Sequence, residues 1–189
     1  MHSQQQSGGG VNKAELALGR IWRDVFVNWL AASPLLINPI RALLLRMYGI
    51  HVPSHGIRPL CFFGGRDIWI GEGSFVNYRC FFDGSAPIHI GRKCGIGMEV
   101  LFCTSGHDIA GPEERAGHVH PKPITIGDGC WVGARSVFLP GATVGDGCII
   151  AAGAVVIGAC TPNGLYAGVP ARRVKELPVE KKEDDHESS

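Results

Sequence analysis

The sequence carries little net charge: 18 Lys and Arg against 17 Asp and Glu leave a formal +1 at neutral pH. Such a balance supplies no broad positive field, so no nucleic-acid partner is expected. The seven cysteines (Cys61, Cys80, Cys94, Cys103, Cys130, Cys148 and Cys160) include no C-x-x-C pair. This argues against a zinc cage or a dithiol redox motif and fits small buried side chains in a reducing cytoplasm. The opening MHSQQQSGGG lacks a basic run leading into an apolar one, so it does not read as a secretory signal; residues 1–12 are expected to be a disordered leader. Residues 25–40 lack charge altogether, yet they fall short of the ~18 apolar residues of a span and include two prolines and two asparagines. What remains is a chain of 189 residues, 45% hydrophobic, sized for one domain with a real core.

Residues 13–50 have a helical rhythm. Leu18, Ile21, Trp22, Val25 and Trp29 recur at spacings of three and four. Pro34 ends this helix, because proline lacks the amide hydrogen and clashes with the preceding turn. Pro39 suits the first turn of a second helix, with Ile40, Leu43, Leu44 and Met47 on one face and Gly49 as its stop. Two roles are open to this segment: a cap docked on the body of the protein, or a peripheral contact with a membrane surface through Trp22 and Trp29 beside Arg20 and Arg23. At the other end, residues 176–189 are mostly charged and are expected to form a disordered tail.

Between residues 51 and 175 the rhythm is six. Ile126, Val132, Phe138, Val144, Ile150 and Val156 are evenly spaced, as are Ile70, Val76 and Phe82, and Ile90, Ile96 and Phe102 after a phase shift at PIHIG. A helix gives spacings of three and four, and a half-buried strand gives two. Six fits a parallel β-solenoid whose triangular coil has three six-residue sides. Each side turns one large residue inward and bends at a small one. Residues 126–143 and 144–161 read as two complete coils. The beat is lost over 105–123, which marks an excursion loop leaving the coil.

IGDGCWVGA, VGDGCIIAAGAVV and the closing YAGVPARRVKE resemble the hexapeptide-repeat acyltransferases, most nearly the galactoside and maltose O-acetyltransferases and their polysaccharide O-acetyltransferase relatives. The resemblance covers roughly residues 57–177. It implies an all-β fold, a left-handed parallel β-helix with an N-terminal helical segment. It also implies a homotrimer with active sites between subunits, acetyl-CoA as donor, a saccharide or glycosylated acceptor, no required metal and a cytoplasmic enzyme.

The resemblance makes His107, in CTSGHDIAG, the catalytic base. An imidazole with an ordinary pKa near 6.5 can take the proton of an attacking hydroxyl and return it to the leaving thiolate. Asn77 matches an acceptor-binding asparagine, and its amide can both donate and accept. Asp83 lies a residue or two from where those relatives keep an acceptor-contacting aspartate. His118 stands where galactoside-type relatives can hold an acidic residue, and as an imidazole it is expected to touch substrate. For the donor, the resemblance implies Trp131, Ala134 and Ala152 along the groove, with the Ala134 amide on the thioester oxyanion. Arg172 and Lys175, with Arg173 as a substitute, would meet the phosphates. Ile157-Gly158 replaces a Thr-Lys pair that the relatives often carry, a departure that implies either weaker donor binding or support from neighbouring basic residues.

Other readings use the same residues. An amine acceptor would give N-acetylation. A γ-type carbonic anhydrase would need His107, His118 and His120 to converge on zinc. A non-catalytic solenoid would bind partners only.

Overall fold

The computed structural model describes residues 13–179; the leader expected at 1–12 and the outer part of the charged tail lie outside the described residues. The repeat region winds into a solenoid with three parallel sheets as its faces. Face one stacks β1 (Phe62–Phe63), β4 (Phe81–Phe82), β7 (Leu101–Phe102), β12 (Val137–Phe138) and β15 (Val155–Val156). Face two stacks β2 (Ile68–Ile70), β5 (Ile88–Ile90), β10 (Ile124–Ile126), β13 (Thr143–Val144) and β16 (Ala159–Cys160). Face three stacks β3 (Phe75–Val76), β6 (Gly95–Ile96), β11 (Trp131–Val132), β14 (Ile149–Ile150) and β17 (Gly164–Ala167), and is closed by the antiparallel β18 (Arg172–Glu176).

The six-residue beat explains this geometry. Every inward position meets its counterpart one coil away: Ile70, Ile90, Ile126 and Val144 on face two, and Val76, Ile96, Val132 and Ile150 on face three. On face one the column is Phe63, Phe82, Phe102 and Phe138, with ring centroids 5.0, 4.8 and 5.0 Å apart and nearly parallel planes. All four rings are buried. A coil repeats at the spacing of neighbouring strands, ~4.8 Å, so identical residues stack without a gap.

The expected coil 126–143 is observed, since Ile126 pairs with Val144. The next is shorter than expected. Val144 pairs with Cys160, so the corner at Ile157-Gly158 is cut short and a cysteine takes the inward slot. Six of the seven cysteines are buried, and Cys103 is half-buried. Cys94, Cys130 and Cys148 share one corner, each thiol donating to a carbonyl of the next coil, those of Gly127, Gly145 and Thr161.

Two helices cap the first coil. α1 (Lys13–Arg23) runs into a π-helical stretch (Asp24–Ala31), and α2 (Asn38–Tyr48) follows a turn around Pro34. Pro39 lies in the first turn of α2, and Gly49 closes it in the left-handed region (φ 107°), a conformation that favours glycine. Asn28 plugs the open edge of β1: its Nδ2 donates to the Phe63 carbonyl and its Oδ1 accepts the Phe63 amide. Arg41 is buried and donates to five neutral oxygens, the carbonyls of Ala31, Ser33, Leu36 and Ile57 and Oδ1 of Asn38. Burial pushes its pKa down, and the carbonyl cage replaces the lost water.

The helices pack on the solenoid, but not through their periodic apolar residues. The periodic residues Leu18, Ile21, Trp22, Val25 and Trp29 face away from the body. Docking uses Val27, Ala31, Ala42 and Leu45 instead, because the inward side must also present Asn28 and Arg41 to the solenoid edge. At the far end, β18 runs through Glu176, and the Leu177 amide still bonds to Asn163, so the ordered chain reaches past the expected start of the tail.

Coil stacking forbids side chains at certain corners. A Cβ on Gly71 would lie 2.7 Å from the Gly91 carbonyl carbon, whereas one on Gly158 would meet nothing within 4 Å. Gly71→Ala is expected to destabilise by about 1–3 kcal/mol through overpacking, and Gly158→Ala by less than about 0.5 kcal/mol. Denaturant unfolding of both variants measures the difference.

Candidate active site

Three corners join the faces, and the expected site residues divide between two of them. Corner one follows face one and holds Asp83, then the excursion bearing His107 and His118. Corner three follows face three and holds Asn77, Ala134 and Ala152, with Trp131 on the adjoining outer face. β18, carrying Arg172 and Lys175, pairs onto face three as well. One chain thus gathers the expected donor residues on one side. A whole face, roughly 15 Å by strand rise, separates the roots of the two corners.

The excursion is a β-hairpin rather than an irregular loop. β8 (His107–Ile109) pairs antiparallel with β9 (Ala116–Val119), His107 lying opposite Val119. Its outer residues are open, Ile109 at 89% exposure. The hairpin orients the His107 ring: Nδ1 lies 3.0 Å from the Gly117 carbonyl oxygen. A carbonyl only accepts, so Nδ1 carries the hydrogen, and in the neutral ring the lone pair falls to Nε2. Nε2 of His120 lies 2.8 Å from Asp108 Oδ2, and the His118 ring meets the edge of His120 at 5.2 Å. His107 and His120 thus have different hydrogen-bond partners, and among the described residues no three His, Cys, Asp or Glu side chains are grouped to hold a metal ion. Gly106, His107, Asp108, His120, Lys122 and Pro140 line a cleft of about 440 Å³.

Asp83 has a structural task at the root of this hairpin. Its Oδ2 accepts the amides of Thr104 and Ser105 at 3.0 and 2.7 Å and both of their hydroxyls, while Oδ1 accepts the Ser85 hydroxyl. Partial burial raises its pKa, but the donors of Ser105 and Thr104 outweigh that and hold it below the usual carboxylate range. The carboxylate expected to meet an acceptor is thus occupied within the chain. Asn77 is half-buried; its Oδ1 accepts the Tyr78 amide, leaving its NH2 for another partner.

On the donor side, Ala134 and Ala152 occupy the same corner one coil apart, and neither amide has an acceptor among the described residues. Two free N–H groups about 4.8 Å apart form a ladder for an amide-rich chain laid along the corner. Arg172 and Lys175 are exposed. Arg173 is not a substitute for them: it donates to Thr161, Pro162 and Asn163 and pairs with Glu176, closing the last coil. The contributions of Gly117, Asp108 and Ser105 escaped sequence reading, because each depends on the pairing of the hairpin and on side chains brought over from a neighbouring coil.

Residues 123–158 match the family model described as bacterial transferase hexapeptide (six repeats). Nodulation protein L of Rhizobium leguminosarum is 33% identical over 133 residues, 69% of this chain and 68% of that protein. Galactoside O-acetyltransferase of Escherichia coli is 33% identical over 119 residues, 63% of this chain; the matched stretch is 59% of that enzyme, so the chain spans about three fifths of its length. Among solved structures, a hexapeptide-repeat acetyltransferase of Vibrio cholerae complexed with acetyl-CoA superposes with a TM-score of 0.78 at 28% identity, covering 93% of this chain and 94% of that one.

Asp83→Asn removes the charge that gathers four donors at the hairpin root. Amide exchange over 105–123 is expected to accelerate at neutral pH, with the solenoid unchanged. In the parent, a depressed carboxylate pKa means that the anchor is complete above the unfolded value near 4 and is lost as pH falls through the lower folded value. Exchange over the same segment is therefore expected to rise on acidification, and to do so far less in the variant.

Proposed function

Because this chain belongs to the hexapeptide-repeat acetyltransferase family, we propose that it transfers acetyl from acetyl-CoA to a hydroxyl of a saccharide or glycosylated acceptor. The observation that carries this reading is the His107–Gly117 hydrogen bond, which presents a basic Nε2 above an open cleft. Nε2 takes the acceptor proton as the oxygen attacks the thioester carbonyl. The Ala134 amide donates to the oxygen that gains charge, a contact worth up to ~4 kcal/mol in other enzymes. The C–S bond then breaks, and the imidazolium returns its proton to the thiolate, giving an acetyl ester and free CoA. Arg172 and Lys175 hold the phosphates of the donor, and the NH2 of Asn77 and the ring of His118 contact the acceptor.

The active unit is a homotrimer, with His107 of one subunit facing the donor corner of the next. Three features support this. The base and the donor amides lie at different corners of one chain. The exposed hairpin is a two-stranded unit, which is marginal unless covered. Faces one and three carry apolar outer columns, including Phe81, Leu101, Phe75 and Trp131, where face two has a single large apolar residue, Trp69, followed by His89, Thr125 and Thr143. The free cysteines and the CoA donor favour the cytoplasm as its place.

His107→Ala is expected to lower acetyl transfer by about 10²–10⁴-fold with folding intact, read as thiol release over a panel of sugars and amino sugars. Equal rates would refute the mechanism, and transfer confined to the amino groups would reassign it to N-acetylation. Ala134→Trp, which fills the donor corner, should be as inactive. Co-assembly of the two inactive variants in equal amounts is expected to restore about a quarter of the sites, because a site built from two subunits can take both intact halves. No recovery would place the whole site within one chain.

A further inference from the structure

The outer side of the N-terminal helices is left unexplained by acetyl transfer. Trp22, Trp29, Leu35, Ile37, Leu43 and Met47 are all exposed there, Trp29 at 75% and Leu35, in the turn between the helices, at 92%. Beside the turn lies an apolar hollow of about 470 Å³. Scattered apolar residues on a surface need no explanation, but so many large ones within one helical segment do.

Charge selects the occupant. Up to residue 66 the sequence has seven basic residues (Lys13, Arg20, Arg23, Arg41, Arg46, Arg58, Arg66) and two acidic ones (Glu15, Asp24). Arg41 is buried, so the region up to residue 66 offers a net +4, whereas the remaining 11 basic and 15 acidic residues give −4. A second copy meeting this face two-fold would set like charges together. An anionic lipid surface supplies the opposite charge and an apolar layer beneath it. Tryptophans suit that boundary, having a flat apolar body and a polar N–H. Among the described residues no helix is long and apolar enough to cross a membrane.

We propose that this helical face docks on an anionic phospholipid surface, with Trp22 and Trp29 at headgroup level and the turn at Leu35 entering the acyl boundary. The contact is peripheral and does not depend on the acetyl-transfer reading. Flotation of the full chain with vesicles of phosphatidylcholine alone, or containing roughly 30% phosphatidylglycerol, tests it. Recovery is expected to be about tenfold higher with the anionic vesicles and to fall at high salt. Trp22→Glu with Trp29→Glu should abolish that gain, and Leu35→Asp, made at an open turn, should reduce it in a chain whose folding is not in question. Assembly mass and acetyl-CoA turnover should be unchanged in all of them. The proposal fails if the parent stays with the unfloated protein for both vesicles, or if the variants float as well as the parent. It also fails if the variants lose assembly mass, an outcome that would assign the face to a second copy of the chain.

Discussion

Everything in this molecule depends on one large inward side chain per face, stacked in register on its counterpart one coil away. The stack sets the pitch, and the pitch brings strands of only two or three residues to pairing distance. Such strands hold no ladder of their own. They hold because each is one rung of a column, and the buried phenyl series from Phe63 to Phe138 shows how little slippage the column tolerates. The rigid columns in turn fix the corners, where Asn77, Asp83, Ala134 and Ala152 stand and from which the hairpin with His107 and His118 leaves; Trp131 lies on face three, and Arg172 and Lys175 on β18.

The site follows from that division of labour. Faces are interchangeable rungs, whereas corners expose backbone amides and admit insertions. Ala134 and Ala152 present unused N–H groups because the central amide of a tight corner points out of the coil. His107 obtains its tautomer from a carbonyl ten residues further on, across the hairpin. Asp83 ties that hairpin to the preceding coil, so the position of His107 depends on a carboxylate committed to Thr104 and Ser105.

The fold was legible because its signal is one-dimensional. Ile126 to Val156 can be counted on the sequence, and each counted residue is buried where the count places it. The count failed at Cys160, where a shortened corner gave the inward slot to a residue that is not aliphatic. The helices were legible as helices, from Pro39 and Gly49, but not in their docking, since periodicity marks an apolar side without saying what it faces. The polar Asn28 and Arg41 decide the matter through hydrogen bonds to strand edges that exist only after folding. For the site, a motif located His107 and the small residues at 134 and 152. The partners of His107 and Asp83 lie on segments whose proximity is tertiary.

Both ends of the rod are stoppered. Asn28 and the helices occupy the first coil, and β18 with Arg173 folds back over the last. An open solenoid invites further rungs from another molecule and, with them, filaments. With its ends blocked, strand addition is closed to it, and its long flanks are left. Flanks set side by side would turn a device against fibre growth into a means of making long, narrow clefts.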